Sequence, residues 1–286
     1  MGLTRNSKLA NFTLGLCNNN FLMDWHIKLS RALRVATEAA REAGALILKE
    51  LPLITAAEAD EKNPGDFVTR VDKGAERIIM DRIRSAFPGD AVMSEETASG
   101  LPDAPDLWLV DPLDGTTNYM HHFPLFCVCI AYAVNRRPEI GVIYDPLHND
   151  LFTCKRDEGV WHNGAPMSVS ECREMKYAYV TTGLPSRFKE EADDFVRGFK
   201  NVFLGSAAVR RTGSAGLDLA YVACGRFDAF WEPRLSAWDM AAGSLLVTAA
   251  GGIVTDENGG PWSIQSRGII AGNPAIHPEI LKLVTE

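Results

Sequence analysis

The chain has 286 residues, of which 46% are hydrophobic, and carries a formal net charge of −8 at pH 7. It is long enough to bury a sizeable core, and it lacks the basic surplus that is typical of nucleic-acid-binding proteins. Its six cysteines do not have the spacing of a disulfide framework, and no apolar run approaches the ~20 residues that cross a bilayer. We therefore expect an acidic cytoplasmic enzyme that requires neither a membrane nor a nucleic acid.

In chain order, the first segment, residues 1–22, is polar and rich in asparagine and lacks the features of a signal peptide. We predict that it is a disordered extension and that a single folded domain spans 23–286. A helix is predicted over 24–50, because apolar residues recur there at helical spacing and Pro52 follows them. Residues 56–65 are charged and end in proline and glycine, which indicates a loop.

Acidic residues accompany the next two predicted elements. Asp72 stands just ahead of an apolar helical pattern, where it would act as an N-cap, and Pro88 with Gly89 ends that helix. A short strand over 91–93 is followed by Glu95 and then by a second glutamate. Exposed glutamates are common, because Glu is rarely buried unless it is paired or bound to a metal. Taken alone, neither position requires a function.

The most informative stretch is an apolar strand that ends in Asp111 and Asp114 and runs directly into a Gly-Thr-Thr turn. Carboxylates at the C-terminal end of a strand lie where open α/β sheets usually place their ligands. Asp114 followed by Gly115 and Thr116 offers an N-cap and free backbone N–H groups, which bind anions at a helix start. The stretch therefore predicts a place for metal and phosphate, with a plain strand-to-turn exit as the alternative.

The remainder of the chain divides into two patterns. Strands dominate from Leu107 to about Val169, which indicates antiparallel pairing. Thereafter strands and helices alternate, and Asp239 stands before the last helix as a further candidate N-cap. The predicted strands are 178–182, 207–211, 227–231 and 252–256, and the predicted helices are 187–201, 214–224 and 240–250. We expect two sheets layered with helices, about 23–170 holding the metal site and about 171–286 binding substrate.

A cluster of these acids would need cations. Two carboxylates about 4 Å apart repel by about 4 kcal/mol at an effective dielectric constant of about 20, so a group of four would protonate or spread apart if it held no cation. Oxygen ligands alone suit magnesium, and the histidines and cysteines are scattered without zinc spacing. Cys127 and Cys129 lie in an apolar run and are interpreted as core residues rather than redox or metal groups. His121 and His122 are interpreted as loop and packing residues.

The acidic positions resemble, in order and approximate spacing, those of the inositol monophosphatase family of magnesium-dependent, lithium-sensitive phosphatases, and its bacterial inositol-1-monophosphatases most of all. The resemblance runs from about Trp25 to the C-terminus. Its motifs are Asp72, Glu95-Glu96, Asp111-Pro-Leu-Asp114-Gly-Thr-Thr-Asn, His122-Phe-Pro, Gly213-Ser-Ala and Trp238-Asp239-Met-Ala-Ala-Gly. It implies the family's α+β fold, an αβαβα sandwich of the inositol monophosphatase and fructose-1,6-bisphosphatase type, and a homodimer.

The resemblance also implies a role for each acidic position. Two to three Mg²⁺ ions are implied, the first held by Glu95, Asp111 and the Leu113 carbonyl and the second by Asp111, Asp114 and Asp239. A third would bind Glu95 through water. The implied catalytic residues are Glu95 and Thr116, which orient a metal-activated water for in-line attack, and Asp72, which is hydrogen-bonded to Thr116. The implied substrate-binding residues are Asp114, Gly115, Thr116, Thr117, Gly213, Ser214, Ala215, Glu232 and Asp239.

The implied reaction is hydrolysis of a small polyol or sugar phosphomonoester. We expect myo-inositol monophosphate first, because Glu232 resembles the family's polyol-reading position. The alternatives are fructose 1,6-bisphosphate, histidinol phosphate and 3′-phosphoadenosine 5′-phosphate. Lys62 could approach the metals, and Arg210 with Arg211 could bind a second anionic group or form a solvated strand end.

Two other classes of protein share part of this pattern or are compatible with it. A haloacid-dehalogenase-type phosphatase needs a nucleophilic Asp two residues before its acid partner, whereas Asp111 and Asp114 are three apart. A regulatory binding protein with vestigial catalysis stays open, since a fold does not fix a role.

Overall fold

The computed structural model describes residues 6–55, 59–63, 66–184 and 192–286, with side chains described from residue 23 onward except at 62, 63 and 66. The helices are α1 (Asn6–Glu50), α2 (Arg70–Ala86), α3 (Thr116–Met120), α4 (Ala192–Gly205), α5 (Ala215–Ala223), α6 (Ala237–Ala249) and α7 (His277–Thr285). The strands before the middle of the chain are β1 (Asp60–Asn63), β2 (Asp66–Val68), β3 (Ala91–Ser94), β4 (Asp106–Asp114), β5 (Cys127–Val134) and β6 (Arg137–Asp145). The others are β7 (Asp150–Lys155), β8 (Gly159–His162), β9 (Ala165–Pro166), β10 (Tyr179–Thr182), β11 (Ala208–Arg210), β12 (Ala229–Pro233), β13 (Ile253–Thr255) and β14 (Gly268–Gly272).

The larger sheet has seven strands in the order β3-β4-β5-β6-β7-β8-β9. β3 runs parallel to β4, and the other neighbours are antiparallel. Its central strands are buried on both faces, so they appear in the sequence as continuous apolar runs rather than as alternating ones. One face packs against α1 and α2 in a core that contains Trp108 and Tyr132. The other face packs against α5 and α6 in a second core.

The smaller sheet has five strands in the order β11-β10-β12-β14-β13. Its strands contact α5 and α6 on one side, and α4 and α7 on the other enclose a third core with Val180, Val202 and Ile280. The layers are therefore α1 and α2, the seven-stranded sheet, α5 and α6, the five-stranded sheet, and α4 and α7. This arrangement confirms the predicted layered αβαβα sandwich.

Several element boundaries differ from the prediction. α1 begins at Asn6, well before the expected start at 24, and the expectation that 1–22 is a disordered extension stays a prediction. Within the expected loop, 60–63 forms β1 and pairs antiparallel with β2. The predicted helix over 187–201 corresponds to α4, which begins at Ala192. Residues 187–191 of that prediction lie outside the described residues. No helix of the described residues is long and apolar enough to span a membrane.

The N-cap assignments of three acidic residues were wrong. α2 begins at Arg70 with Thr69 as its N-cap, which leaves Asp72 at the third helical position. α6 likewise begins after Ser236, so Asp239 is its third residue. Both acids accept hydrogen bonds from the backbone of the true cap residue, which is the reciprocal arrangement of a capping box. α3 is preceded by Gly115 rather than capped by Asp114.

Candidate active site

Two of the predicted acids lie at the irregular end of β4. Its pairing with β5 is regular up to Asp111 and shifts before Asp114, because Pro112 and Leu113 form a β-bulge. Pro112 has no N–H to donate to the ladder. The Leu113 N–H instead donates to Asp111 Oδ1 at 3.0 Å. Asp111 is 2% exposed, and Asp114 is partly exposed.

Asp114 is held by the start of α5. Ser214 Oγ donates to Asp114 Oδ2 at 2.5 Å, and the Gly216 N–H donates to the same oxygen at 2.8 Å. Ser214 is also the N-cap of α5, whose positive dipole end favours a carboxylate. The predicted Gly213 to Ala215 segment therefore lies beside the acidic strand end, although it is a hundred residues away in the chain.

Asp72 connects α2 to α3. Its Oδ2 accepts from the Thr69 N–H at 2.8 Å and from Thr69 Oγ1 at 2.5 Å. The Thr116 hydroxyl lies 2.9 Å from Asp72 Oδ1 and 3.0 Å from the Leu113 carbonyl oxygen, either of which can accept its proton. With Asp72 only 1% exposed, this network fixes the position of Thr116 relative to the end of β4.

Glu95 and Asp239 approach the same region from two other elements. The Glu95 N–H donates to the Val110 carbonyl at 3.1 Å, which places Glu95 beside the end of β4. Asp239 Oδ2 accepts from the Ser236 N–H at 2.7 Å in the first turn of α6. Four elements of the chain thus bring their acids to one end of the seven-stranded sheet.

The acids act on one another electrostatically. Burial raises the pKa of Asp111 well above its usual range, and the charges of Glu95, Asp114 and Asp239 raise it further. Burial also raises the pKa of Asp114, against the opposing effect of the hydrogen bonds from Ser214 and Gly216. Burial raises the pKa of Asp72 as well. A divalent cation among these groups would relieve both the desolvation and the repulsion.

The donor chemistry of the predicted ligand set fits magnesium, since each ligand is a carboxylate or the carbonyl oxygen of Leu113. Among the His, Cys, Asp and Glu side chains that the structure describes, the group of Asp114, Cys127 and Cys129 is the one that brings three possible ligand atoms within 4.8 Å of one another.

The predicted phosphate-binding turn has a tight backbone. Gly115 has φ 90°, and a β-carbon there would lie 3.0 Å from the Leu125 carbonyl oxygen and 3.4 Å from that of Gly213. Glycine is therefore required where the two loops approach each other. Asn118 Nδ2 connects the two loops, because it donates hydrogen bonds to the carbonyls of Leu125 at 2.7 Å and Thr212 at 2.9 Å. Thr117 is exposed on α3.

Glu232 lies in the other sheet, on β12, and is 8% exposed. It lines a cavity of about 160 Å³ together with apolar residues that include Trp231 and Ile269. Phe195 of α4 and Val284 of α7 also line this cavity, and its described lining includes none of the acids gathered at the end of β4.

The remaining candidates have different outcomes. The guanidinium of Arg210 packs over the Tyr179 ring with a centroid distance of 5.0 Å, while Arg211 Nη2 donates to the Leu184 carbonyl at 3.4 Å. His121 and His122 are exposed in the turn after α3. The side chain of Lys62 lies outside the described ones.

Sequence reasoning missed one neighbour of the acidic strand end. Cys127 and Cys129 are buried in the core as expected, yet Cys127 Sγ donates to Asp114 Oδ2 at 3.5 Å. The sequence signal was their alternation, which places both thiols on one face of β5. Burial raises the pKa of Cys127 well above its usual range. Although contact with the Cys127 thiol lowers it, burial brings the pKa of Cys129 to about 12.

Comparison with known proteins agrees with this architecture. The profile of the inositol monophosphatase family matches residues 28–286. Nus factor SuhB of Salmonella typhimurium is 44% identical over 245 residues, which is 85% of this chain and 92% of the relative. An inositol-1-monophosphatase of Mesorhizobium japonicum is 39% identical over 256 residues, covering 89% and 96%. The solved structure of inositol monophosphatase from Anabaena superimposes with a TM-score of 0.81 at 38% identity, covering 90% of this chain and 96% of that one.

The solved inositol monophosphatase from Anabaena shares this layered architecture. The chain belongs to the inositol monophosphatase family.

Proposed function

We propose that the protein is a magnesium-dependent phosphatase that hydrolyses a small polyol phosphomonoester, with myo-inositol monophosphate as the preferred substrate. The observation that supports this most is the burial of the Asp111 carboxylate close to the negative charges of Glu95, Asp114 and Asp239. Bound divalent cations would neutralise this repulsion. Membership of the inositol monophosphatase family supports phosphoryl transfer as the chemistry.

The proposal assigns the ions to named residues. Glu95, Asp111 and the Leu113 carbonyl hold one Mg²⁺, and Asp111, Asp114 and Asp239 hold the second, with a third bound weakly through Glu95. When bound, the ions neutralise charge on the transferring phosphoryl oxygens and the leaving alkoxide and lower the pKa of the attacking water. Lithium inhibition and a cytoplasmic homodimer belong to the same proposal.

Thr116 and Asp72 form the proton path. Thr116 donates its hydroxyl hydrogen bond to Asp72 Oδ1, and its oxygen accepts a hydrogen bond from the attacking water. As the water loses a proton to the Thr116 oxygen, the hydroxyl proton of Thr116 moves to Asp72. Glu95 orients the same water. The backbone N–H groups of Gly115, Thr116 and Thr117 hold the phosphate oxygens in the turn that the close approach of Gly115 defines.

Substrate reading uses both sheets. Asp114, Asp239 and the Gly213, Ser214 and Ala215 segment lie on the metal side. Glu232, on β12 of the smaller sheet, would accept a hydrogen bond from a polyol hydroxyl. Fructose 1,6-bisphosphate, histidinol phosphate and 3′-phosphoadenosine 5′-phosphate stay alternatives for the same metal cradle.

A regulatory binding role is the second candidate, and the comparisons favour it specifically. Relatives at 44% identity are called Nus factors, whereas one at 39% identity is called an inositol-1-monophosphatase. The expectation that no nucleic acid is required stays a prediction. The gathering of Asp72, Glu95 and Asp239 around Asp111 and Asp114 supports working catalysis as well.

Phosphate release from the four candidate esters at fixed magnesium tests the proposal. We expect turnover with millimolar-range Mg²⁺, inhibition by lithium and the highest kcat/KM with the inositol ester. Hydrolysis that persists in excess chelator would contradict the metal assignment. No hydrolysis of any ester, by a protein that still unfolds cooperatively, would favour the regulatory role.

A further inference from the structure

Two thiols lie against the partly exposed acid of the strand end. Cys127 Sγ is 3.6 Å from Cys129 Sγ and 3.5 Å from Asp114 Oδ2, and all three ligand atoms lie within 4.8 Å of one another. Both thiols are essentially unexposed, at 0% and 1%. Hydrophobic packing accounts for buried cysteines in general, but it does not account for two sulfurs placed around one carboxylate oxygen.

These separations match the ligand spacing of a tetrahedral thiophilic ion. With Zn–S bonds of about 2.3 Å and a Zn–O bond of about 2.1 Å, two sulfurs lie about 3.8 Å apart and a sulfur and an oxygen about 3.6 Å apart. The distances from Cys127 Sγ to Cys129 Sγ and to Asp114 Oδ2 are therefore close to those between two ligands of one ion. Ser214 Oγ is a further donor atom, 3.6 Å from Cys127 Sγ.

The three atoms lie against the backbone of α5 at Gly216, where only a glycine leaves room for both thiols beside Asp114. A β-carbon at this residue of α5 would lie 2.3 Å from Cys129 Sγ, 2.9 Å from Cys127 Sγ and 3.0 Å from Asp114 Oδ2. The same three atoms thus converge on the one face of α5 that has no side chain. Because Asp114 is the partly exposed member of the group, an ion would enter from its side.

We propose that Asp114, Cys127 and Cys129 form a site for a thiophilic divalent cation, with Zn²⁺ as the natural occupant and water as its fourth ligand. On binding, each thiol releases its proton to solvent as a sulfur–metal bond forms, and Asp114 contributes an oxygen without any change of oxidation state. This site differs from the oxygen-only magnesium set, and it shares Asp114 with that set. An ion held there therefore makes Asp114 a poorer magnesium ligand and inhibits hydrolysis, a consequence that rests on the proposed function.

Cobalt titration of the reduced protein tests the binding itself, independently of phosphatase activity. We expect a thiolate-to-cobalt charge-transfer absorption that saturates at about one ion per chain and that Zn²⁺ abolishes. Cys127→Ser and Cys129→Ser should each weaken the absorption at saturation, because each removes one sulfur. Cys154→Ser is the matched control, since Cys154 is an equally buried thiol whose Sγ lies 3.9 Å from the Leu245 carbonyl oxygen.

The outcomes separate this inference from the proposed function. Absence of the charge-transfer band in the wild-type protein, or an undiminished band in both serine variants, overturns the site whether or not the protein is a phosphatase. If hydrolysis is present, the Zn²⁺ concentration for half inhibition should rise at least about tenfold in Cys129→Ser and stay unchanged in Cys154→Ser. Equal zinc inhibition in both variants would overturn the shared use of Asp114.

Discussion

The Thr116 hydroxyl lies 2.9 Å from Asp72 Oδ1, and this hydrogen bond joins the first residue of α3 to the first turn of α2. The bond is a polar link between the two helices. Asp72 is itself held by Thr69, so the carboxylate that accepts the Thr116 hydrogen bond has a fixed position. The arrangement makes the hydroxyl, rather than the bulk of Thr116, the important group.

A matched pair of variants at Thr116 isolates the hydroxyl. Thr116→Val removes it at nearly constant volume, and we expect kcat for the preferred ester to fall at least about 10²-fold, the usual contribution of a positioned proton-transfer group. Thr116→Ser keeps the hydroxyl and should retain most of the turnover. Steady-state kinetics on both variants decides the matter: similar losses in the two would show that Thr116 acts through packing.

Asp111 is expected to be the most sensitive acid, because the proposal gives it to both metals. Asp111→Asn should lower kcat by at least about 10²-fold, the typical cost of removing one preorganised charge-stabilising group, and should weaken magnesium activation. Asp81→Asn is the control, since Asp81 is exposed on α2. Magnesium titrations of activity provide the measurement, and equal effects of the two substitutions would refute the assignment of the metal ligands.

Glu232 should affect substrate choice rather than chemistry. Glu232→Gln weakens the acceptor for a polyol hydroxyl, so KM for the polyol ester should rise by an amount equivalent to about 1–3 kcal/mol. A simple aryl phosphate lacks that hydroxyl and should be hydrolysed almost as before. Glu95→Gln is the contrasting variant, with kcat lowered for both esters. If Glu232→Gln impaired both substrates equally, the main reason for favouring inositol phosphate would be lost.

His277, at the start of α7, gives a pH dependence of stability that is separate from the acidic site. Burial lowers its pKa, so the folded protein favours the neutral imidazole, whose Nε2 lies 3.1 Å from Thr255 Oγ1. The contribution of neutral His277 to the free energy of unfolding is complete above the pKa of about 6.5 that a histidine has in the unfolded chain. It is lost as the pH falls through the lower pKa of the folded state. Urea unfolding at several pH values should show this decline, and His277→Gln should flatten it. His121→Gln, at an exposed residue, should leave the decline in place.

The sequence predicted the elements whose signals are local. The apolar run before Asp111 identified β4 and its acidic end, and the meander followed by alternation identified the layers. Asp72 and Asp239 were misassigned as N-caps, although Thr69 and Ser236 three residues earlier are the sequence signal of a capping box. The error shifted each helix start without moving the acid from the site.

Other features depended on tertiary contacts that no local pattern encodes. β14 was not predicted, because the strand is short and apolar and has a glycine at each end. In the structure it lies between β12 and β13. The contact of Cys127 with Asp114 arises from the shifted pairing of β4 with β5, and Ser214 reaches Asp114 across the layers. A register shift and a long-range approach both require the folded chain.

The close packing of α5 and α6, the middle layer of helices, affects where inactivating mutations are expected. α6 carries Asp239 in its first turn, and its Gly243 lies so close to α5 that a β-carbon would come within 2.4 Å of Leu219 Cβ. On its other side, a β-carbon at Gly141 of β6 would lie 2.9 Å from the Ala242 carbonyl oxygen. A single added methyl group at either glycine would displace the helix, and Asp239 with it. Substitutions that displace Asp239 are therefore expected at uncharged interior glycines, where a survey confined to charged residues would overlook them.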